Sequence, residues 1–211
     1  VYELTGQSWD NPEFKARFTA SYLGQSEVNP SISGEEKALF DEILPLIGSA
    51  PKQAIVLLET NMTPESSAAF DYILGNLLYQ EGKLQASVVA YEKATKKFPS
   101  YAQAYYNAGR AAVADGDYVT ALPFLQKSLS IQPGDGSLYG LIGYCYINME
   151  KPSSALDAYR VAVMLEPKSK DWKLGKLQCH VALEDRSEAI GLLYEFIDED
   201  PFNADWWKPQ A

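Results

Sequence analysis

Residues 68–99, AAFDYILGNLLYQEGKLQASVVAYEKATKKFP, decide the fold because the proline that ends them recurs along the chain. Proline returns every 34 residues, at Pro99, Pro133, Pro167 and Pro201. A glycine, a small residue and a large apolar residue recur in the same phase: Gly75, Gly109 and Gly143; Ser87, Ala121, Ala155 and Ala189; Tyr91, Leu125, Tyr159 and Leu193. A repeat of this length indicates a row of similar supersecondary units.

The sequence pattern of each repeated unit predicts a helical hairpin. Apolar residues fall at helical spacing on both sides of a break that contains Gly82. Gly75 lies within the first predicted helix, where glycine costs about 1 kcal/mol relative to alanine, so we expect the two helices to approach closely there. Ser87 would supply the matching small surface on the second helix, Tyr91 would fill the gap to the next unit, and Pro99 would end the second helix.

The segments Leu74-Gly75-Asn76, Tyr91-Glu92-Lys93-Ala94 and Phe98-Pro99 together resemble the tetratricopeptide repeat family. The resemblance covers residues 68–201 and implies an all-α fold, a right-handed α-solenoid of helical hairpins. Its four units would span 68–101, 102–135, 136–169 and 170–203. The last unit departs from the pattern because Leu177 stands where the other units have glycine.

The flanking segments predict the two ends of the array. Residues 34–67 read as a degenerate hairpin in which Pro45 ends or kinks the first helix. Residues 1–33 form an N-terminal extension with a capping helix that carries Phe14 and Phe18. Residues 204–211 are either a tail that folds back over the last helix or the start of a further unit.

Composition excludes several classes of function. With 46% hydrophobic and 22% charged residues, the chain is expected to fold. A net charge of −10 disfavours nucleic acid as a partner, because phosphate binding depends on clustered cations. The longest nearly apolar run, 138–147, has ten residues where a bilayer crossing needs roughly 20, so no direct membrane insertion is expected.

No residue set predicts catalysis, a metal site or a cofactor. His180 is the only histidine and occupies a packing position of the repeat. Cys145 and Cys179 are expected to be buried and to behave as small apolar residues. The acidic pair Glu184-Asp185 lies at a unit boundary, where we expect both side chains to be solvated.

The resemblance implies that the first helices of successive units line a concave groove. Tyrosine offers a rigid surface with a polar tip, and asparagine offers a donor and an acceptor, so the two can hold a peptide main chain. We therefore expect a non-enzymatic scaffold that binds an extended segment of a protein partner, although the tyrosines could instead pack between helices. The candidate groove residues are Tyr72, Asn76, Tyr79, Tyr106, Asn107, Arg110, Tyr144 and Asn148.

An alternative function is assembly through the ends of the array. Phe14, Phe18, Trp206 and Trp207 could mediate self-association into a homo-oligomer or docking on a membrane complex. The stretches 12–18, 21–24 and 27–30 resemble bacterial exported repeat proteins that accompany TonB-type energy-transducing complexes. That resemblance implies a periplasmic accessory protein and favours a periplasmic or exported setting over a cytoplasmic one.

Overall fold

The structure, a computed structural model, describes residues 29–199 and contains eleven helices and no strand within that range. The chain divides into two compact units, Val1–Pro133 and Gly134–Ala211. Each unit is built from antiparallel helical pairs whose apolar faces meet.

The first described segment is a hairpin with an interrupted first helix. It comprises α1 (Lys37–Ile43), α2 (Leu46–Ser49) and α3 (Pro51–Asn61). The first helix ends before Pro45, as expected for a residue that has no N–H to donate. Phe40, Ile43 and Leu58 are fully buried in the core that this hairpin shares with the helices that follow in the same unit.

Glu36 ties this hairpin to the next one. Its Oε2 accepts from the Ser33 N–H at 2.9 Å, and its Oε1 accepts from the Ser67 N–H at 2.7 Å. The Ser67 hydroxyl in turn donates to the Ser31 carbonyl at 2.7 Å. Ser67 is also the N-cap of the next helix, where its side chain accepts from the Ala69 N–H.

Two further hairpins complete the described part of the first unit. They are α4 (Ala68–Gln80) with α5 (Leu84–Lys97), and α6 (Ala102–Ala114) with α7 (Tyr118–Ile131). Gly82 and Gly116 turn the chain between the helices of each pair with φ values of 72° and 79°, a conformation that glycine adopts at little cost. Asp117 caps α7 by accepting from the Thr120 N–H at 3.0 Å.

The recurring glycines are contact points between paired helices, as expected, and their nearest neighbours are the large residues of the second helix. A β-carbon at Gly75 would lie 2.6 Å from the Tyr91 ring, and one at Gly109 would lie 2.5 Å from Leu125. Tyr91 also interacts with Asn107 and Arg110 of the following hairpin. Its contact with Gly75 therefore does not contradict the prediction that it fills the gap to the next repeat. In the first unit, Tyr91 and Leu125 occupy the space beside the glycine of their own hairpin.

The second unit repeats the arrangement with α8 (Gly136–Asn148), α9 (Pro152–Leu165), α10 (Lys170–Ala182) and α11 (Arg186–Glu199). Here Tyr159 has both roles, because its ring lies against Gly143 of its own hairpin and against Gly175 of the following one. The interhelical turns contain Glu150 and Glu184, each with a φ of 58° where the first unit has glycine.

The last hairpin compensates for its missing glycine with a different core. Leu177, which stands at the repeat position of the glycine, is buried with Ala189, Leu192 and Phe196. The preceding helical pair is joined to α10 by Trp172, whose indole N–H donates to Glu166 Oε2 at 2.8 Å.

Candidate functional site

Six of the predicted groove residues lie together on two neighbouring helices of the first unit. They fall at helical spacing, so each helix carries its members on one face. We call this group the α4–α6 surface: Tyr72, Asn76 and Tyr79 of α4 and Tyr106, Asn107 and Arg110 of α6.

A hydrogen-bond network joins the two helices at this surface. Asn107 Nδ2 donates to Tyr72 Oη at 3.0 Å and to Asn76 Oδ1 at 3.1 Å. Asn76 Oδ1 also accepts from the hydroxyl of Tyr91, which reaches it from α5 at 2.8 Å. The side-chain oxygen of Asn76 therefore accepts two hydrogen bonds, one from each neighbouring helix.

The same network leaves one donor and one acceptor unpaired. Asn76 Nδ2 and Asn107 Oδ1 are both buried, and neither has a hydrogen-bond partner among residues 29–199. An unpaired buried polar group costs about 1–3 kcal/mol, so most buried groups in folded proteins are paired. Two such groups on residues already in contact with each other mark this surface as unusual.

Arg110 lies between two aromatic rings one helical turn beyond Asn107. The guanidinium carbon is 5.5 Å from the centre of the Tyr79 ring and 5.8 Å from the centre of the Tyr106 ring. Both distances fall within the range of cation–π attraction. Arg110 is the only charged residue on α6, so it sets the charge of this end of the surface.

Burial keeps the tyrosine hydroxyls of the network neutral. It raises the pKa of Tyr72 to about 12 and raises the pKa of Tyr91 well above its usual value. The physical cause in both cases is the loss of solvation that a phenolate would suffer. These hydroxyls therefore remain protonated at neutral pH.

The surface has a buried layer and a more accessible one. Tyr72, Asn76 and Tyr106 are buried, each about 8% exposed, while Tyr79, Asn107 and Arg110 are half-buried. The buried layer also contains Tyr91, which the sequence pattern assigns to packing alone. The sequence does contain a signal for a polar role. Two of the four repeats carry leucine at the position of Tyr91, so packing there does not require a hydroxyl.

The two remaining predicted groove residues belong to the second unit. Tyr144 and Asn148 are exposed on α8, where Asn148 Nδ2 donates to the Tyr144 carbonyl at 2.8 Å. This bond lies within one helix and leaves both side chains at the surface of their own unit.

His180 is buried, as expected, but it has a partner that the sequence did not indicate. Its Nδ1 lies 3.0 Å from Asp185 Oδ2, while its Nε2 is buried without a partner among the described residues. The expectation that both carboxylates of Glu184-Asp185 are solvated is compatible with this contact, because the side chain of Asp185 remains 43% exposed. Its carboxylate orients the imidazole.

The cysteines and the acidic residues form no further site in the described range. Burial raises the pKa of both Cys145 and Cys179 to about 11, which keeps them as neutral thiols. Within 29–199 no group of histidine, cysteine, aspartate and glutamate side chains has the arrangement of a metal site. No helix in that range is long and apolar enough to cross a membrane.

The residues predicted to mediate end-to-end assembly lie outside the described part of the chain. This applies to Phe14, Phe18, Trp206 and Trp207 and to most of the N-terminal stretch that resembles exported TonB-associated proteins. Both interpretations stay predictions.

Comparison with known proteins identifies the repeats of the central hairpins. Two tetratricopeptide repeat models match the chain, one over residues 72–136 and the other over residues 136–169. No curated protein matches it significantly.

Solved structures share the fold across most of the chain. MamA from Desulfovibrio magneticus RS-1, residues 41 to the end, is 22% identical and covers 82% of this chain and 99% of its own, with a TM-score of 0.69. A double mutant of MamA RS-1 is 21% identical, with a TM-score of 0.71, and the match covers 80% of this chain and 96% of the mutant chain. YrrB, a TPR protein with an unusual peptide-binding site, is 18% identical, with a TM-score of 0.71, and the match covers 80% of this chain and 88% of YrrB. These similarities show an all-α fold of the TPR solenoid class.

Proposed function

We propose that the chain binds an extended peptide segment of a partner protein on the α4–α6 surface, because tetratricopeptide repeat models match residues 72–136 and 136–169 and proteins with these repeats are generally non-enzymatic protein-interaction scaffolds. Asn76 and Asn107 hold the main chain of that segment, and Arg110 with Tyr79 forms the adjoining contact. The chain itself carries out no reaction.

One observation carries this proposal, the unpaired donor and acceptor on Asn76 and Asn107. A peptide group also has one donor and one acceptor, so a bound main chain can pair with both atoms at once. The gain is large because each group otherwise stays buried without a hydrogen bond, at about 1–3 kcal/mol. The two unpaired atoms therefore match the hydrogen-bonding groups of a partner's amides.

Binding requires a local rearrangement, because both unpaired atoms are closed to solvent. Tyr79 and Arg110 lie three residues beyond Asn76 and Asn107 on the same helix faces and are half-buried. Moving the guanidinium of Arg110 from the Tyr79 ring costs about 0.5–2 kcal/mol. The hydrogen bonds that the peptide completes offset this cost.

The relatives and the charge of the chain support a protein partner. YrrB, which shares the fold, is a TPR protein with a peptide-binding site. With a net charge of −10, this chain would repel the phosphate backbone of a nucleic acid. The only charged residue on α4 is Asp71, which pairs with Lys97, so the surface is nearly neutral apart from Arg110.

A variant with Asn76→Ala, Asn107→Ala and Arg110→Ala tests the proposal. Peptides selected by the wild-type chain from a displayed library of random linear peptides serve as the probe, and fluorescence anisotropy gives their affinity. We expect the triple variant to bind at least about 100-fold more weakly, while circular dichroism shows unchanged helicity.

A matched control replaces three exposed polar residues on the second helices of the same unit, Lys93, Gln126 and Lys127, with alanine. This control should bind the selected peptides as the wild-type chain does. Unchanged affinity of the triple variant, or equal losses in both variants, would exclude the α4–α6 surface as the binding site.

A further inference from the structure

Tyr91 stands at a repeated position that ordinarily serves packing, yet its hydroxyl reaches the α4–α6 surface. Its ring fills the space beside Gly75, and the side chain is 2% exposed. Its hydroxyl donates to Asn76 Oδ1 at 2.8 Å. One residue of α5 thus combines a packing contact with a polar contact to the proposed binding residue.

The hydrogen bond from Tyr91 bears on the orientation of the Asn76 amide. In the observed orientation, Asn76 Oδ1 accepts from Tyr91 and from Asn107 Nδ2, which leaves Asn76 Nδ2 as the unpaired group. If the Asn76 amide alone turned over, its NH₂ would face the NH₂ of Asn107 at 3.1 Å, two donors without an acceptor. The two amides are therefore coupled, so neither can turn over without the other.

The Tyr91 hydroxyl keeps its proton at neutral pH. Burial raises the pKa of this hydroxyl well above the usual value, so the proton remains available. A phenylalanine at this position would keep the ring against Gly75 and remove only that proton and its oxygen.

We propose, on the basis of the peptide-binding function above, that Tyr91 is a positioning residue that sets the hydrogen-bond polarity of the α4–α6 surface. It holds Asn76 with Nδ2 as the free donor, so the bound segment must place a carbonyl oxygen there. Asn107 Oδ1 correspondingly takes an N–H of the ligand. An amide supplies both groups, either from the main chain or from an asparagine or glutamine side chain.

The second unit supplies a matched comparison. Tyr159 occupies the equivalent repeat position, and its ring lies against Gly143 as the Tyr91 ring lies against Gly75. The residue that corresponds to Asn76 is Tyr144, so the second unit has no asparagine at the equivalent position. Tyr159→Phe therefore removes the same group from the same kind of position without touching an asparagine.

The test compares Tyr91→Phe with Tyr159→Phe, using the peptides selected by the wild-type chain. We expect Tyr91→Phe to weaken binding about 3- to 10-fold, which corresponds to one hydrogen bond, and Tyr159→Phe to leave binding unchanged. Peptides N-methylated at each main-chain position, and peptides with each asparagine or glutamine replaced by leucine, distinguish a main-chain amide from a side-chain amide.

A double-mutant cycle with Asn76→Asp separates positioning from general loss of structure. The aspartate keeps an oxygen for Tyr91 and Asn107 but has no NH₂ to offer a ligand. We expect Asn76→Asp alone to reduce affinity at least about 10-fold, and Tyr91→Phe to cause no further loss in that background. A purely structural role of Tyr91 would give the same loss in both backgrounds and would overturn the inference.

A measurement on the wild-type chain covers the case in which Tyr91→Phe folds poorly. Nuclear magnetic resonance locates the side-chain NH₂ protons of Asn76 through their contacts with neighbouring protons. Contacts with the side chains around the unpaired position support the inference, whereas close contacts with the Tyr91 hydroxyl place the amide the other way round and overturn it.

The two proposals fail in different ways. If Tyr91→Phe binds like the wild-type chain while the triple variant loses binding, the surface binds peptides but Tyr91 does not position Asn76. If the triple variant itself binds normally, the proposed function is wrong and so is the inference that rests on it.

Discussion

Gly75 and Tyr91 are in direct contact across the α4–α5 hairpin, because the space that a β-carbon of Gly75 would occupy is filled by the tyrosine ring. The contact explains why glycine is used in a helix interior in spite of its unfavourable helix propensity. It also brings the Tyr91 hydroxyl within reach of Asn76, one residue further along α4. Packing and polar chemistry at this surface thus depend on the same pair.

Gly75→Ala is expected to destabilise the first unit by about 1–3 kcal/mol. The added methyl group would overlap the Tyr91 ring, and the cost of that overlap exceeds the gain in helix propensity. Urea denaturation followed by circular dichroism measures the change. Gly191→Ala is the control, since nothing lies within 4 Å of its added methyl group, and it should stabilise α11 by up to about 1 kcal/mol. Equal behaviour of the two variants would contradict the prediction.

Lys97→Met should destabilise the chain by about 3 kcal/mol at neutral pH. The Lys97 ammonium lies 2.7 Å from Asp71 Oδ2, and the Asp71 side chain is only 3% exposed, so the substitution leaves a buried carboxylate unpaired. Lys96→Met is the control, because the Lys96–Glu92 pair is exposed and should contribute less than about 1 kcal/mol.

The loss of folding stability caused by Lys97→Met should be smaller at acidic pH. Burial raises the pKa of Asp71 above its usual value, and the attraction of Lys97 only partly opposes this. A carboxyl group with a raised folded-state pKa favours folding most below its unfolded-state pKa and loses that contribution as pH rises through the folded-state pKa. Stability curves at several pH values check this, and a loss independent of pH would count against it.

Alkaline pH should unfold the first unit through its buried tyrosines. The pKa of Tyr72 is raised by burial from about 10 to about 12, so its contribution to stability is complete below pH 10 and is lost as pH rises towards 12. Absorbance of phenolate and circular dichroism should therefore change together for this group. Tyr72→Phe should shift the transition to higher pH, and ionisation of all tyrosines before any loss of helix would argue against the prediction.

Asp185→Ala should cost about 1–2 kcal/mol, because it removes the acceptor of the buried His180 imidazole. The cost should fall in a chain that already carries His180→Leu, since leucine occupies the equivalent position at residue 78. Thermal denaturation of the two single variants and the double variant gives the coupling. Additive losses would show that the imidazole does not depend on Asp185. Asp157→Ala, at an exposed acidic residue of α9, is the control.

The repeat itself was predictable because it depends on residue types that return at a fixed spacing. The helical pairs and the role of Gly75 as a close contact follow from that spacing, and the interruption at Pro45 follows from proline itself. The glycine turns at residues 82 and 116 were also predictable. The same left-handed conformation at Glu150 and Glu184 was not, because glutamate has no preference for it and adopts it only when the flanking helices impose it.

The polar network was only partly predictable. Asn76, Asn107 and Arg110 could be chosen by their chemistry and helical spacing, but their partners come from other helices. Tyr91 and Asn76 are fifteen residues apart, and the bond between them depends on an interhelical distance that no pattern of residue types states. The pairing of Asp185 with His180 escaped prediction for the same reason, since it is made across a turn.

The bridge that Glu36 forms between Ser33 and Ser67 determines how the chain can be shortened. A fragment beginning at α4 would lose two hydrogen-bond acceptors at the start of that helix. These are the Glu36 carboxylate, which accepts from the Ser67 N–H, and the Ser31 carbonyl, which accepts from the Ser67 hydroxyl. The degenerate hairpin therefore serves as a starter module for the regular ones. Dissection of this protein into autonomous pieces should place the first cut upstream of Ser31.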